Sequence, residues 1–301
     1  MTTYLKYRLI SDPFLEEKLT AKALSSDRQE AREYQTESSG IFFKVKRVLY
    51  EKKSAFQKIE IIENDFYGRV LFLDGLVQTT EKDEFFYHEM LVHPALACHP
   101  RPEKVLIIGG GDGGALREVL RHPVKKAWLV EIDQEVIKAC EKYFPWLDES
   151  LSDPRAELAI ADGFDFIQRT TEKFEVIIVD SSDPVGPSAI LHARDFYLKL
   201  KKILKPDGII VAQAGSQLLH LQEHRQKARF LRRMFRFARF YFGPVPTYPV
   251  GTWCYNFLSD RIDPLTVKKL RIPEGLKYYN AKVFAASFAA PVFFEQNVRI
   301  K

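Results

Sequence analysis

Four aspartates stand at or beside the carboxyl ends of short apolar runs: Asp112, Asp162, Asp180 and Asp183. The last two lie three residues apart in Asp180-Ser181-Ser182-Asp183-Pro184-Val185-Gly186-Pro187. Carboxylates this close, if drawn into a cleft, resist ionising together: like charge raises one pKa and desolvation raises both. Such a pair can seat a cation and supply a general base, although the same spacing also serves an Asx-type turn. A second constellation is Gly109-Gly110-Gly111-Asp112-Gly113-Gly114, which holds the GxGxxG spacing at Gly109, Gly111 and Gly114. Taken alone it fits nicotinamide, flavin and S-adenosylmethionine sites equally. Glu131, with Asp133 close by, follows the next apolar run, where an acid can accept hydrogen bonds from both ribose hydroxyls of an adenosine.

Asp112 narrows the choice. A carboxylate inside the glycine loop repels the pyrophosphate of a dinucleotide and the carboxylate end of ordinary S-adenosylmethionine. It welcomes a ligand whose tail is only an ammonium. Asp112, Asp162, Asp180 and Asp183 together describe an acidic cleft on a chain of net charge +5, which fits cationic substrates.

The elements that must hold these residues are legible as alternating patterns. The apolar run 105–108 reads as a strand buried on both faces, and 128–132, 156–160, 176–179 and 208–212 read likewise. Helical segments fall between them, at 135–143 and 196–204. Strands alternating with helices predict an α/β domain built on a parallel, doubly wound sheet over residues 100–301. Residues 41–99 read as a small antiparallel β-domain, with strands at 41–46, 57–63 and 69–73, and a linking helix. That helix is expected to start at Thr79-Thr80, threonine being an N-cap residue, and to end or kink at Pro94. Residues 1–40 read as a polar arm, in which 16–34 could form an interrupted helix.

Composition sets limits on function. The chain has 301 residues, 46% hydrophobic and 28% charged, and no run approaches the ~20 apolar residues of a membrane span. Its first residues lack a signal peptide's apolar core, so a cytoplasmic destination is expected. The three cysteines and seven histidines match no metal-binding spacing, and no metal site is expected. Residues 224–243 carry seven Lys or Arg and no acid, with Phe230, Leu231, Met234, Phe235 and Phe240 interleaved. They read as one amphipathic helix with a solvated basic face, and nucleic-acid binding is not expected.

Several longer segments, among them Thr80-Glu81-Lys82-Asp83-Glu84-Phe85-Phe86-Tyr87-His88-Glu89-Met90, residues 105–114, 180–187 and Pro246-Thr247-Tyr248-Pro249, resemble the spermidine synthase (polyamine aminopropyltransferase) family in content and order. The resemblance implies a methyltransferase-like Rossmann sheet, parallel or mixed, with a small N-terminal antiparallel β-domain, and transfer of an aminopropyl group from decarboxylated S-adenosylmethionine, a co-substrate, to a polyamine, with no permanently bound cofactor. It implies a donor site of Gln57, His88, Asp112, Glu131, Asp162, Gly163 and Pro187. It also implies a proton acceptor, Asp180, and an acceptor site of Tyr87, Asp180, Asp183 and Tyr248. The segment between Pro184 and Ala193 is expected to gate the site. A homodimer or homotetramer is implied. Gly215 stands where some members have a glutamate for the far amine of putrescine, so putrescine, cadaverine and agmatine all remain open. An S-adenosylmethionine-dependent amine N-methyltransferase is the other enzymatic reading.

Overall fold

The computed structural model describes residues 29–181 and 191–298. Two sheets and a hairpin make up the β-structure. A hairpin pairs β1 (Glu30–Tyr34) with β2 (Gly40–Lys44). A four-stranded antiparallel sheet follows, in the order β3 (Arg47–Lys53), β4 (Lys58–Asn64), β5 (Gly68–Leu73), β6 (Leu76–Thr80). The N-terminal β-domain is therefore richer than the pattern predicts. Arg47–Lys53 shows its charged side chains to solvent and lacks a clean apolar alternation, and 30–34, expected in an arm or helix, is a strand.

Helix α1 (Glu84–Cys98) leads out of this sheet and is buried almost throughout. The predicted threonine cap is not used. Thr80 Oγ1 instead donates to Asp83 Oδ1 at 2.6 Å, and the helix begins after Asp83. Pro94 does not end the helix. Proline removes the N–H that would bond the carbonyl four residues earlier, and the Tyr241 hydroxyl takes its place by donating to Met90 O at 2.9 Å.

The large sheet has seven strands in the order β12 (Phe237–Pro244), β13 (Thr252–Ser259), β11 (Leu204–Ser216), β10 (Phe174–Asp180), β7 (Lys104–Gly109), β8 (Lys126–Glu131), β9 (Ala156–Ile160). β13 alone runs against the others. Each buried strand divides its apolar residues between two layers, as the two-residue period requires. Val105 and Ile107 face one core with residues of α1, α2 (Gly114–Leu120) and α3 (Gln134–Tyr143). Leu106 and Ile108 face the other core, with α5 (Gly163–Arg169), α6 (Arg194–Ile203) and α7 (Leu221–Met234). A short α4 (Pro145–Leu151) follows α3, and α8 (Ala281–Ser287) and α9 (Val292–Val298) close the described chain.

The basic stretch 224–243 is not one helix. It divides between α7 and β12, with Phe235 as the cap between them, so Phe240 is a sheet residue.

Candidate active site

Strand order reverses between β7 and β10, and there the carboxyl ends of two adjacent strands diverge into a crevice. The register pairs Gly109 with Asp180, which sets the glycine loop beside the candidate base. Gly109, Gly110 and Gly113 have φ near +80°, +74° and +80°, which L side chains rarely adopt. Gly111 and Gly114 serve space instead. A β-carbon at Gly111 would lie 3.0 Å from Glu131 Oε2, and one at Gly114 would overlap the His88 ring. The glycine signature is thus split between backbone freedom and close approach. A side chain at Gly110 would also come within 2.6 Å of Asp180 Oδ2.

Asp112 is turned inward from this loop. Its Oδ1 accepts from Gly114 N at 3.0 Å, its Oδ2 lies 3.3 Å from His88 Nε2, and its carbonyl accepts from Trp146 Nε1 at 2.9 Å. His88 is nearly inaccessible, and its Nδ1 faces Glu84 Oε2 at 2.7 Å. Burial by itself would depress the His88 pKa. The Asp112 charge and the bonds to Asp112 and Glu84 outweigh it and hold the ring well above the ordinary histidine value. Burial likewise opposes ionisation of Asp112, but the His88 charge prevails and keeps its pKa low.

Asp180 ends β10. The Tyr87 hydroxyl donates to its Oδ1 at 2.6 Å. Burial first and the Asp112 charge second push Asp180 up to about 6, against the restraining pull of His88 and Tyr87. Glu131 is raised further, to about 7, chiefly by burial. Asp133 N donates to Glu131 Oε1 at 2.9 Å, and Asp133 Oδ2 accepts from Ser54 Oγ at 2.6 Å and Gln57 Nε2 at 3.1 Å. Gln57 thus reaches from the small sheet to the end of β8.

His88, Asp112 and Asp180 each place a ligand-type atom within 4.8 Å of the others. Two carboxylates beside the His88 ring can seat a cation.

Two of the residues expected to hold the acceptor, Tyr87 and Tyr248, belong to one aromatic group. The Tyr87 and Tyr248 rings are 5.6 Å apart, and Tyr248 packs on Trp253 at 4.7 Å. Tyr248 is held twice: its hydroxyl donates to Gln78 O at 2.6 Å, and the preceding Thr247 gives its N–H and hydroxyl to Asp83 Oδ2. Gln213 donates to Ser181 O at 2.8 Å and accepts from Trp253 Nε1 at 3.1 Å, tying the residue after Asp180 to this wall. Gly215 has φ +89°, and a side chain there would run into the His220 ring.

Asp162 caps α5, accepting from Phe164 N at 2.7 Å and Asp165 N at 3.1 Å. A β-carbon at Gly163 would meet Ile108 Cγ2 at 2.5 Å. Asp183, Pro187 and most of the expected gate lie outside the described residues. Glu84, Arg117, Trp146, Gln213 and Trp253 were not expected at the site. Glu84 carries a readable signal, its spacing of four from His88 on one helix; the others act across long stretches of chain and carry none.

The chain is similar to known proteins over most of its length. Residues 84–269 match the spermine/spermidine synthase domain, and residues 31–81 match the spermidine synthase tetramerisation domain. Polyamine aminopropyltransferase from Shouchella clausii is 43% identical over 265 residues, covering 87% of this chain and 96% of its own. The Bacillus subtilis protein of that name is 41% identical over 269 residues, covering 89% and 98%. Spermidine synthase from Thermotoga maritima superposes with a TM-score of 0.84 at 40% identity, covering 94% of this chain and 98% of its own. A spermidine synthase solved with the transition-state analogue AdoDATO gives 0.85 at 40% identity, covering 94% and 99%. The two matched domains span the small sheet and the whole of the large one: the chain belongs to the spermidine synthase family.

Proposed function

We propose that this chain is a polyamine aminopropyltransferase that moves the aminopropyl group of decarboxylated S-adenosylmethionine to putrescine, giving spermidine and methylthioadenosine. The observation that carries the reading is Asp112. The glycine loop presents a buried carboxylate, and Asp180 faces the same small space. That is the chemistry of a donor ending in an ammonium and an acceptor that is itself a cation.

In this reading Asp112 holds the ammonium of the aminopropyl tail, His88 serves the donor site by holding Asp112, and Glu131 accepts from the ribose hydroxyls. Gln57 braces the end of β8, Asp162 and Gly163 flank the adenine, and Pro187 counts among the donor-site residues. The glycines at 109, 111 and 114 let the donor approach the backbone. Asp183, Tyr87 and Tyr248 position the acceptor. Its amine arrives protonated and cannot attack until Asp180 removes a proton. The freed lone pair then attacks the carbon bonded to the sulfonium. The carbon–sulfur bond breaks, its electron pair stays on sulfur, and neutral methylthioadenosine leaves. A carboxylate raised to about 6 is a far better base than a free aspartate, and it remains ionised at neutral pH. Asp112 and Asp180 within one small space supply orientation, which commonly contributes more than proton transfer does. No permanent cofactor takes part in this scheme.

The match to a tetramerisation domain supports a homo-oligomer, a dimer or a tetramer, and Tyr34 and Phe42 offer exposed aromatic surface on the β1–β2 hairpin. All three cysteines are free, buried thiols, which suits a cytoplasmic setting. Among the described residues no helix is long and apolar enough to cross a membrane.

The test is incubation with decarboxylated S-adenosylmethionine, or with S-adenosylmethionine, against putrescine, cadaverine and agmatine, followed by mass spectrometry. Methylthioadenosine together with spermidine is expected. An acceptor heavier by one methyl group, formed only with S-adenosylmethionine, would overturn the proposal in favour of N-methyl transfer. Faster turnover of agmatine or cadaverine would keep the reaction and change the acceptor.

A further inference from the structure

A line of buried alternating charges leads away from Asp112. His88 stands between two carboxylates, Asp112 at 3.3 Å and Glu84 at 2.7 Å. Glu84 Oε2 also receives Arg117 NH2 at 2.7 Å, and Arg117 Nε turns to Glu118 Oε1 at 2.7 Å. Glu118 Oε2 meets Arg121 Nε at 2.9 Å and His93 Nε2 at 3.0 Å. Glu84 and Glu118 are 5% and 1% exposed, so neither is a solvated surface acid. A carboxylate buried this deeply persists only when paired.

We propose that Glu84 is a positioning residue for aminopropyl transfer: acting through His88, it holds Asp112 in place as the seat of the donor's ammonium. The proposal rests on the reading of the site given above. With Glu84 accepting from Nδ1, a neutral His88 would turn a bare Nε2 lone pair toward the Asp112 carboxylate, and the two would repel. Only the imidazolium satisfies both neighbours, since both of its nitrogens are donors. Arg117 pins the Glu84 oxygen that His88 uses, which fixes the direction of the ring. Every charged neighbour of the pair agrees. Glu84 is faced by His88 on its own helix and by Arg117 from α2. His88 is faced by Glu84, by Asp112 from the glycine loop and by Asp180 from β10, with the Tyr87 ring beside it at 5.2 Å. Arg117 is covered on its remaining side by the Trp146 ring at 5.5 Å.

The test compares wild type, Glu84→Gln and Glu84→Asp in the full chain. Histidine 15N NMR reads the protonation of His88 without ligand, and kinetics read the donor KM and inhibition by methylthioadenosine. That product lacks the ammonium, so it reports on the adenosine site alone. In the wild type both His88 nitrogens are expected to stay protonated through neutral pH. In Glu84→Gln the ring should titrate at lower pH and the donor KM should rise roughly tenfold or more, the loss of one charge-assisted hydrogen bond acting through the ring. The methylthioadenosine constant should move by less than about twofold on the same argument, and Glu84→Asp should recover most of the donor affinity. A neutral His88 in the wild type would overturn the proposal. So would a parallel rise of both constants in Glu84→Gln, which marks a merely structural role. A wild type that never consumes the donor would instead sink the reading of the site, while the NMR result stands apart from turnover.

Discussion

The Tyr87 hydroxyl donates to Asp180 Oδ1 at 2.6 Å, so the candidate base reaches its task with one oxygen already bound and the other beside the glycine loop. That division assigns one oxygen to orientation and leaves the other for the incoming amine. Asp180→Asn keeps the acceptor for Tyr87 and loses the base. It should lower kcat by about a hundredfold or more, with methylthioadenosine binding little changed. Steady-state turnover and equilibrium binding measured on the same variant check both halves.

Tyr87→Phe leaves the carboxylate but removes its donor. The hydroxyl lowers the pKa of Asp180, so its loss moves the acid limb of activity to higher pH. Turnover at neutral pH should fall by roughly tenfold, the value of one hydrogen bond to a charged group. An acid limb that stays in place would argue that Tyr87 acts on the acceptor rather than on Asp180.

Activity of the wild type should decline as pH falls through about 6, because Asp180 works only as the carboxylate. The decline belongs to the Asp112–Asp180 pair, since each charge acts on the other. A profile of kcat/KM against pH, with saturating acceptor, reads it. Asp180→Asn should abolish that limb along with most of the rate.

The same raised pKa is a debt in stability. Asp180 moves from an ordinary 3.8 to about 6, so its contribution to folding is full below pH ~3.8 and lost as pH rises through ~6. At neutral pH the ionised group costs the empty fold up to about 3 kcal/mol, at ~1.4 kcal/mol per unit. Asp180→Asn should therefore melt at higher temperature than wild type at pH 7.5, and the advantage should vanish near pH 4. Calorimetry at the two pH values, without ligand, decides.

Gly114→Ala places a methyl group in the His88 ring. Overpacking of this kind typically costs about 1–3 kcal/mol. The donor KM should rise with it, because the ring can yield only by leaving Asp112 or Glu84. A shift in melting temperature with no change in donor KM would place the displaced atoms elsewhere.

Much of the site could be read from the sequence because its chemistry sits at strand ends. An acid after an apolar run, as at Glu131 and Asp180, announces both the strand and the position where ligands meet it. Asp112 was legible as an acid misplaced among glycines. Arg117 and Trp146 were not, since their partners lie 33 and 34 residues away and no local pattern links them. The strand Arg47–Lys53 was missed because one of its faces meets solvent with charged residues. The basic stretch was misread as one helix because the apolar spacing of α7 continues by coincidence into β12. Pro94 misled for a related reason: the group that rescues its helix, Tyr241, comes from the far end of the chain.

The position of β10 between β7 and β11 has a consequence for how the chain is made. A ribosome releases β7, α2, β8 and β9 first, and these can pair in the order they emerge. The opposite edge of β7, wholly apolar from Val105 to Ile108, must then wait for residues 174–180. Until they arrive, the nascent domain carries an unpaired edge of the kind that invites aggregation. The step that covers this edge also brings Asp180 beside Gly109. Covering of the β7 edge and arrival of the candidate base beside the glycine loop are one event.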